Sequence, residues 1–213
     1  GEPADFNYHD YRNADVDTFL PALDHLIETG HAIVRIGDPS MKRLPKHDRI
    51  IDLPFLQKEN GLLDAYFCAT SRFYLGSPSG PADIAIGFDT PLLYVNALHF
   101  PSLWRGPRDL HLYKKYHSRA LQRALSYEEI LLGPALQYYS VEEFQRSGIE
   151  LINNSPEEIE AGVREMVDRL DGTWNHPADE VFHGKVTLVR LKAHQQRMLF
   201  APELPFFSLY LTE

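Results

Sequence analysis

From Arg72 to Val95 the sequence changes periodicity twice over a short span. Arg72-Phe73-Tyr74-Leu75 reads as a strand and Gly76-Ser77-Pro78-Ser79-Gly80 as a tight loop. Pro81 to Phe88 reads as a helix with proline at its start, and Pro91-Leu92-Leu93-Tyr94-Val95 as another strand. Strand, helix and strand joined by short connections is the grammar of a parallel sheet with a right-handed crossover, which excludes most all-α and all-β architectures. The flanking text agrees. Between Asp15 and Thr29 the apolar residues Val16, Phe19, Leu20, Leu23, Leu26 and Ile27 trace one helical stripe. Asn13 or Asp15 can cap that helix, Gly30 can end it, and Pro21 requires either a start close to itself or a kink. Ala32-Ile33-Val34-Arg35-Ile36 then reads as a strand closed by Gly37, 38–48 as a polar loop, and Ile50-Ile51-Asp52-Leu53 as a second short strand.

Leu62 to Ala69 reads as a helix buried over most of its surface. Asn96 to Lys115 reads as a long aromatic loop, and loops of that length inside compact domains are usually functional or disordered. Three Ser-x-x-Glu capping boxes follow, Ser126 with Glu129, Ser140 with Glu143 and Ser155 with Glu158. The last opens the fullest amphipathic pattern in the chain, with Pro156 at the first helical turn, Ile159, Val163, Met166, Val167 and Leu170 on one stripe, and Gly172 to stop it. Beyond Trp174, Lys185 to Leu191 alternates like a strand and Leu204 to Leu211 is apolar. The predicted fold class is α/β, a Rossmann-like, mostly parallel sheet with flanking helices. Its domain is placed at residues 1–174, with 175–213 as an extension of no legible role.

Composition sets limits on function. A net charge of −9 over 213 residues argues against a mainly electrostatic nucleic-acid binder. One cysteine, Cys68, rules out an internal disulfide framework and reads as a core thiol. No apolar run approaches the roughly 20 residues of a membrane helix. Gly1-Glu2-Pro3 opens the chain as if cut from something longer.

The loop Gly76-Ser77-Pro78-Ser79-Gly80 carries the most chemistry. It falls where a strand's carboxyl end meets a helix amino end, the place where open α/β sheets bind ligands. Glycines admit close approach, serines donate hydrogen bonds, and a helix N-terminus favours an anion, so a phosphate or diphosphate fits. A plain turn with serine caps would read the same way. The loop is not a P-loop, a dinucleotide fingerprint or a nucleophile elbow, since Pro78 stands where that elbow needs serine. Arg35, at a strand end, suits an oxyanion, although an ion pair would equally account for it. Lys114 and Lys115, between Tyr113 and Tyr116, suit a diphosphate clamp or a solvated charge pair. Glu129 suits a ribose hydroxyl or its own capping box. Asp15-Val16-Asp17 has the spacing of a D-x-D metal motif but opens a helix, where acidic residues belong anyway. No metal site is predicted, because the ten histidines do not cluster at metal spacing.

Several segments together resemble a known family. They are Tyr11-Arg12-Asn13-Ala14-Asp15, Val34-Arg35-Ile36-Gly37-Asp38, Arg72 to Gly80, Leu125-Ser126-Tyr127-Glu128-Glu129-Ile130 and Asn154-Ser155-Pro156-Glu157-Glu158-Ile159. Their order and spacing, from about Asp10 to Trp174, are similar to a family of bacterial glycosyltransferases of surface-polysaccharide synthesis. The resemblance implies a GT-B-like enzyme of two Rossmann-like halves, of which this chain is the donor-binding half. A further strand and an acceptor-side domain would then precede Gly1. Gly76, Ser77, Ser79 and Gly80 would cradle the diphosphate of a nucleotide-sugar donor and Arg35 would neutralise charge nearby. Asn96 or Glu129 would touch the nucleoside, with Lys114 and Lys115 beside it. The acceptor would be a glycan or lipid-linked glycan, no cofactor or metal would be needed, and the protein would work in the cytoplasm or at the inner membrane surface. The catalytic base would come from the absent half or the cleft lining, with His9 the one candidate in this chain. Two other readings remain open: a non-catalytic α/β module for a phosphorylated ligand or protein partner, and a different α/β enzyme such as a sugar-nucleotide epimerase or hydrolase.

Overall fold

A computed structural model of the chain describes residues 14–56, 61–98 and 108–175. These contain β1 (Ile33–Arg35), β2 (Ile50–Asp52), β3 (Tyr74–Gly76), β4 (Leu92–Ala97), β5 (Leu110–Tyr113), β6 (Lys115–Ser118), β7 (Arg123–Ala124) and β8 (Ile149–Ile152). The helices are α1 (Leu20–Glu28), α2 (Gly61–Thr70), α3 (Gly80–Gly87), α4 (Tyr127–Leu132), α5 (Val141–Arg146) and α6 (Pro156–Asp171). The fold is α/β, with mostly parallel sheets flanked by helices, and is compatible with a Rossmann-like arrangement. His9 and the stretches 185–191 and 204–211 lie outside the described residues.

The chain divides into two compact units. The larger contains, of the described residues, those up to Ala124 together with 139–174. In it β1 pairs with β2, and β3 with β4 and β4 with β5, all in parallel. Ile33 packs against the same apolar cluster as Phe73 and Leu75, and Ile36 against the same cluster as Tyr74. The Arg72 Nη1 lies 3.0 Å from His31 Nε2, joining the residues just before β3 and β1. The two-stranded sheet β1-β2 and the three-stranded sheet β3-β4-β5 are separate in their hydrogen bonding and share these apolar clusters.

Period-two alternation sorts the side chains of β4 to two faces. Leu93 and Val95 pack with Ala22 and Leu26 of α1 and Ile159, Val163 and Met166 of α6; Leu92 and Tyr94 pack with Cys68 of α2 and Ala82 and Ala85 of α3. Helices cover both faces, which is why β4 is buried along its whole length and reads as a continuous apolar run. Gly162 lets α6 come close to the sheet: a Cβ there would stand 2.8 Å from Leu112 Cδ1. A second, antiparallel sheet in the order β7-β6-β8 follows, and β8 leads into α6.

All three capping boxes form, each with the serine hydroxyl on the amide three residues on and the glutamate on the serine amide. Pro21 sits in the first turn of α1, preceded by a 3-10 turn at Val16–Phe19 that Asp15 caps, so the helix begins at the proline and is not kinked by it.

Two readings require correction. The stretch 96–115 is not one irregular loop: β4 runs to Ala97, and Leu110–Tyr113 forms β5. The strand was hidden because Leu110-His111-Leu112-Tyr113 alternates with histidine and tyrosine on its second face. Tyr113 and Tyr116 therefore stand on two successive strands. Nor is α2 mostly buried. Only Cys68 is fully enclosed, while Leu62 and Tyr66 are exposed.

The smaller unit contains Leu125–Tyr138, with α4 followed by a 3-10 turn at Pro134–Gln137. Ile130, Leu131, Ala135 and Leu136 are buried in it.

Candidate functional site

The residues that sequence reading singled out fall at carboxyl ends of parallel strands, that of β1, paired with β2, and that of β3, paired with β4. Such ends are where open α/β sheets take their ligands. Gly37, with φ +132°, turns the chain out of β1. The Ser77–Ser79 loop leaves β3.

Gly76 ends β3. A Cβ at this position would lie 3.0 Å from both Cε1 and the hydroxyl of Tyr74, so the tyrosine ring occupies the room that the glycine provides. The Tyr74 hydroxyl reaches Ser79 Oγ at 3.2 Å. Burial pushes its phenol above the usual range, and the bond to Ser79 opposes that shift. Ser79 is the N-cap of α3 with extended backbone (φ −160°, ψ 169°), yet its side chain makes no capping bond. Its carbonyl accepts the N–H groups of Ala82 at 3.0 Å and Asp83 at 3.3 Å. Pro81 has no N–H, so Gly80 supplies the first-turn amide, with open space where a Cβ would stand. The loop thus offers one helix amide and two hydroxyls to an anion. Asp83, exposed in the same turn, opposes one.

Arg35 is the last residue of β1, in register with Asp52 of β2. Its Nε donates to Asp52 Oδ1 at 2.5 Å and its Nη1 to the Lys42 carbonyl at 2.9 Å. The other Asp52 oxygen accepts the Leu44 N–H at 3.1 Å. Arg35 is thus neither a free strand-end cation nor a surface pair, because both partners are largely enclosed. Asp38 accepts the Ser40 N–H at 2.8 Å, and its hydrogen bonds to Ser40 hold its carboxyl below the usual range.

Asn96, near the end of β4, adopts φ +55° and is buried. Its N–H donates to Asn154 Oδ1 at 2.6 Å, and its own Oδ1 accepts the Asn154 N–H at 2.7 Å. Asn154 Nδ2 also donates to the Tyr113 carbonyl at 3.0 Å. This clasp ties β4 and β5 to the residue before the cap of α6. Lys114 follows β5, is 4% exposed, and burial pushes its amine down to about 8. Lys115 turns outward to Glu158 at 2.6 Å. Glu129 belongs to the smaller unit, where its Oε2 accepts the Ser126 N–H at 2.7 Å within the capping box.

The carboxyl ends of parallel strands in the larger unit thus carry Arg35, Gly76, Ser77, Ser79, Gly80, Asn96 and Lys114. Sequence reading missed an aromatic row beside them. Tyr94 pairs in register with His111, their rings edge to face at 5.2 Å, and His111 Nδ1 lies 3.2 Å from the Tyr113 hydroxyl. The signal that could have found it was the alternation within β5. Among the described residues no group of three histidine, cysteine or acidic side chains is disposed to hold a metal, and no helix is long and apolar enough to cross a membrane. Compared with known proteins, the chain matches no family model, no curated protein and no solved structure.

Proposed function

We propose that this chain is the donor-binding half of a glycosyltransferase that moves a sugar from a nucleotide-diphosphate sugar to a glycan or lipid-linked acceptor. The observation that carries the reading is the serine loop between the carboxyl end of β3 and the amino end of α3, where a glycine amide and two hydroxyls meet the positive end of a helix. In glycosyl transfer the bond between the sugar's anomeric carbon and the diphosphate oxygen breaks as the acceptor hydroxyl attacks. The departing nucleoside diphosphate therefore gains negative charge in the transition state. Fixed donors aimed at that charge stabilise it more than they stabilise the ground state, and such terms are commonly the largest in catalysis. The Gly80 amide, the Ser77 and Ser79 hydroxyls and the dipole of α3 are donors of this kind. The base that takes the acceptor proton is not assigned to any described residue.

A second reading is a non-catalytic module for a phosphorylated ligand or a protein partner, and two details favour its protein-partner form. The room at Gly76 is filled by Tyr74, and Asp83 sets a negative charge in the first turn of α3. Calorimetric titration with UDP, GDP and CMP separates the readings. The donor-half reading expects one nucleotide to bind at micromolar strength, about −8 kcal/mol, and to be lost in a Ser77→Ala/Ser79→Ala variant. Absence of binding to a folded chain would overturn it in favour of the module.

A further inference from the structure

Phe55, just after β2, has two guanidinium groups against its ring: Arg43 Cζ stands 3.7 Å from the ring centre and Arg35 Cζ stands 5.2 Å from it. The carboxylate of Asp52 serves Arg35 alone, its two oxygens taken by Arg35 Nε and the Leu44 N–H. Arg43 makes no hydrogen bond or ion pair among the described residues; its contact is the ring. The Nη2 of Arg35 is enclosed and has no acceptor, which holds for no other enclosed side-chain nitrogen or oxygen among the described residues. Enclosed donors are nearly always paired, and a charged donor left unpaired is costly. Of the two cations on the ring, Arg35 has a carboxylate partner and Arg43 has no ion pair among the described residues. A guanidinium stacked on an aromatic ring keeps its fork of N–H groups in the ring plane's direction, ready for an oxyanion.

We propose that Arg43, seated on Phe55, and the Nη2 of Arg35 form an oxyanion subsite that binds the diphosphate of a nucleoside diphosphate. It lies at the carboxyl end of β1, whereas the serine loop follows the carboxyl end of β3. This rests on the donor-half reading for the identity of the nucleotide but not for the presence of the anion. The Arg35 nitrogen has no free surface, so the anion meets the exposed Arg43 first and reaches Arg35 as a neighbour gives way. Met41 is an exposed side chain two residues before Arg43, and its Sδ stands 2.8 Å from where a Gly37 Cβ would be.

The test titrates the full chain with pyrophosphate and with the nucleoside diphosphates, comparing wild type, Arg43→Gln, the Ser77→Ala/Ser79→Ala variant and Arg119→Gln. The last removes the same charge from an exposed turn after β6 and controls for net charge. Because Arg43 is exposed, its variant is expected to unfold at the same urea concentration as wild type. The expected result is pyrophosphate binding weakened about tenfold or more in Arg43→Gln and unchanged in Arg119→Gln. Equal binding by wild type and Arg43→Gln overturns the subsite, as does the absence of pyrophosphate binding by wild type. If nucleoside diphosphate binding survives Arg43→Gln but is lost in the serine variant, the subsite falls and the donor-half reading stands. If pyrophosphate binding is lost in Arg43→Gln and no nucleotide binds better than pyrophosphate, the subsite stands and the donor-half reading falls.

Discussion

Asn96 and Lys114 are polar side chains enclosed at the carboxyl end of the sheet, and they differ in how their burial is compensated. Asn96 exchanges two hydrogen bonds with Asn154 across a long stretch of chain. Replacing Asn96 with alanine leaves the Asn154 amide enclosed without its acceptor, and its φ of +55° strains the new side chain. The expected loss is about 1–3 kcal/mol, read by urea unfolding, with Asn96→Gly relieving the backbone part but not the orphaned amide. Lys114 has its amine near 8 instead of the ordinary 10.5 because burial disfavours the charged form. The unfolded chain therefore binds more protons than the native one between about pH 8 and 10.5, so this group adds stability as pH rises through that window. Below pH 8 the full cost of enclosing the ammonium is present. Lys114→Met removes that cost, so its stability relative to wild type should be greatest at pH 7 and decline between pH 8 and 10. A difference that stays flat across that range would mean that the lysine titrates normally.

Elements differ in how openly the sequence announces them. The capping boxes at Ser126, Ser140 and Ser155 were legible because capping is local: one hydroxyl and one carboxylate, three residues apart, satisfy amides that the helix itself cannot. The strand–helix–strand unit around the serine loop was legible because its period changes are abrupt. β5 was not, since its polar face carries His111 and Tyr113, which a sequence reader takes for loop residues until Tyr94 and Tyr74 are seen on the same face. α2 misled in the opposite direction: nearly every residue in it is apolar, but burial is decided by what lies outside the helix, and Leu62 and Tyr66 face outward. The site was legible in part. The serine loop and Arg35 fall at strand ends, which local pattern reveals, whereas the ion pair to Asp52, the ring of Phe55 and the tyrosine over Gly76 depend on register between distant segments. Register also sets the distance between α6 and the sheet, through Gly162. Gly162→Ala would drive a methyl into Leu112 and push the helix outward, at an expected cost of about 1–3 kcal/mol in urea unfolding. A smaller companion change, Leu112→Ala, should recover part of that loss if the contact is responsible.

At the scale of the whole molecule, the larger unit holds parallel strands, and helices pack on both faces of β4. Arg35 and the Ser77–Ser79 loop both stand at carboxyl ends of parallel strands. The account depends on those strand ends being where an anionic nucleotide binds. The most direct measurement is amide NMR of the full isotope-labelled chain, titrated with the nucleoside diphosphate that binds best. The account predicts the largest shifts at Ser77, Ser79 and Gly80 on the β3 side and at Ile36 and Gly37 on the β1 side, with the strand starts at Ile33 and Leu92 unmoved. Shifts confined to the opposite end of the sheet, or to the exposed face of α2, would contradict it.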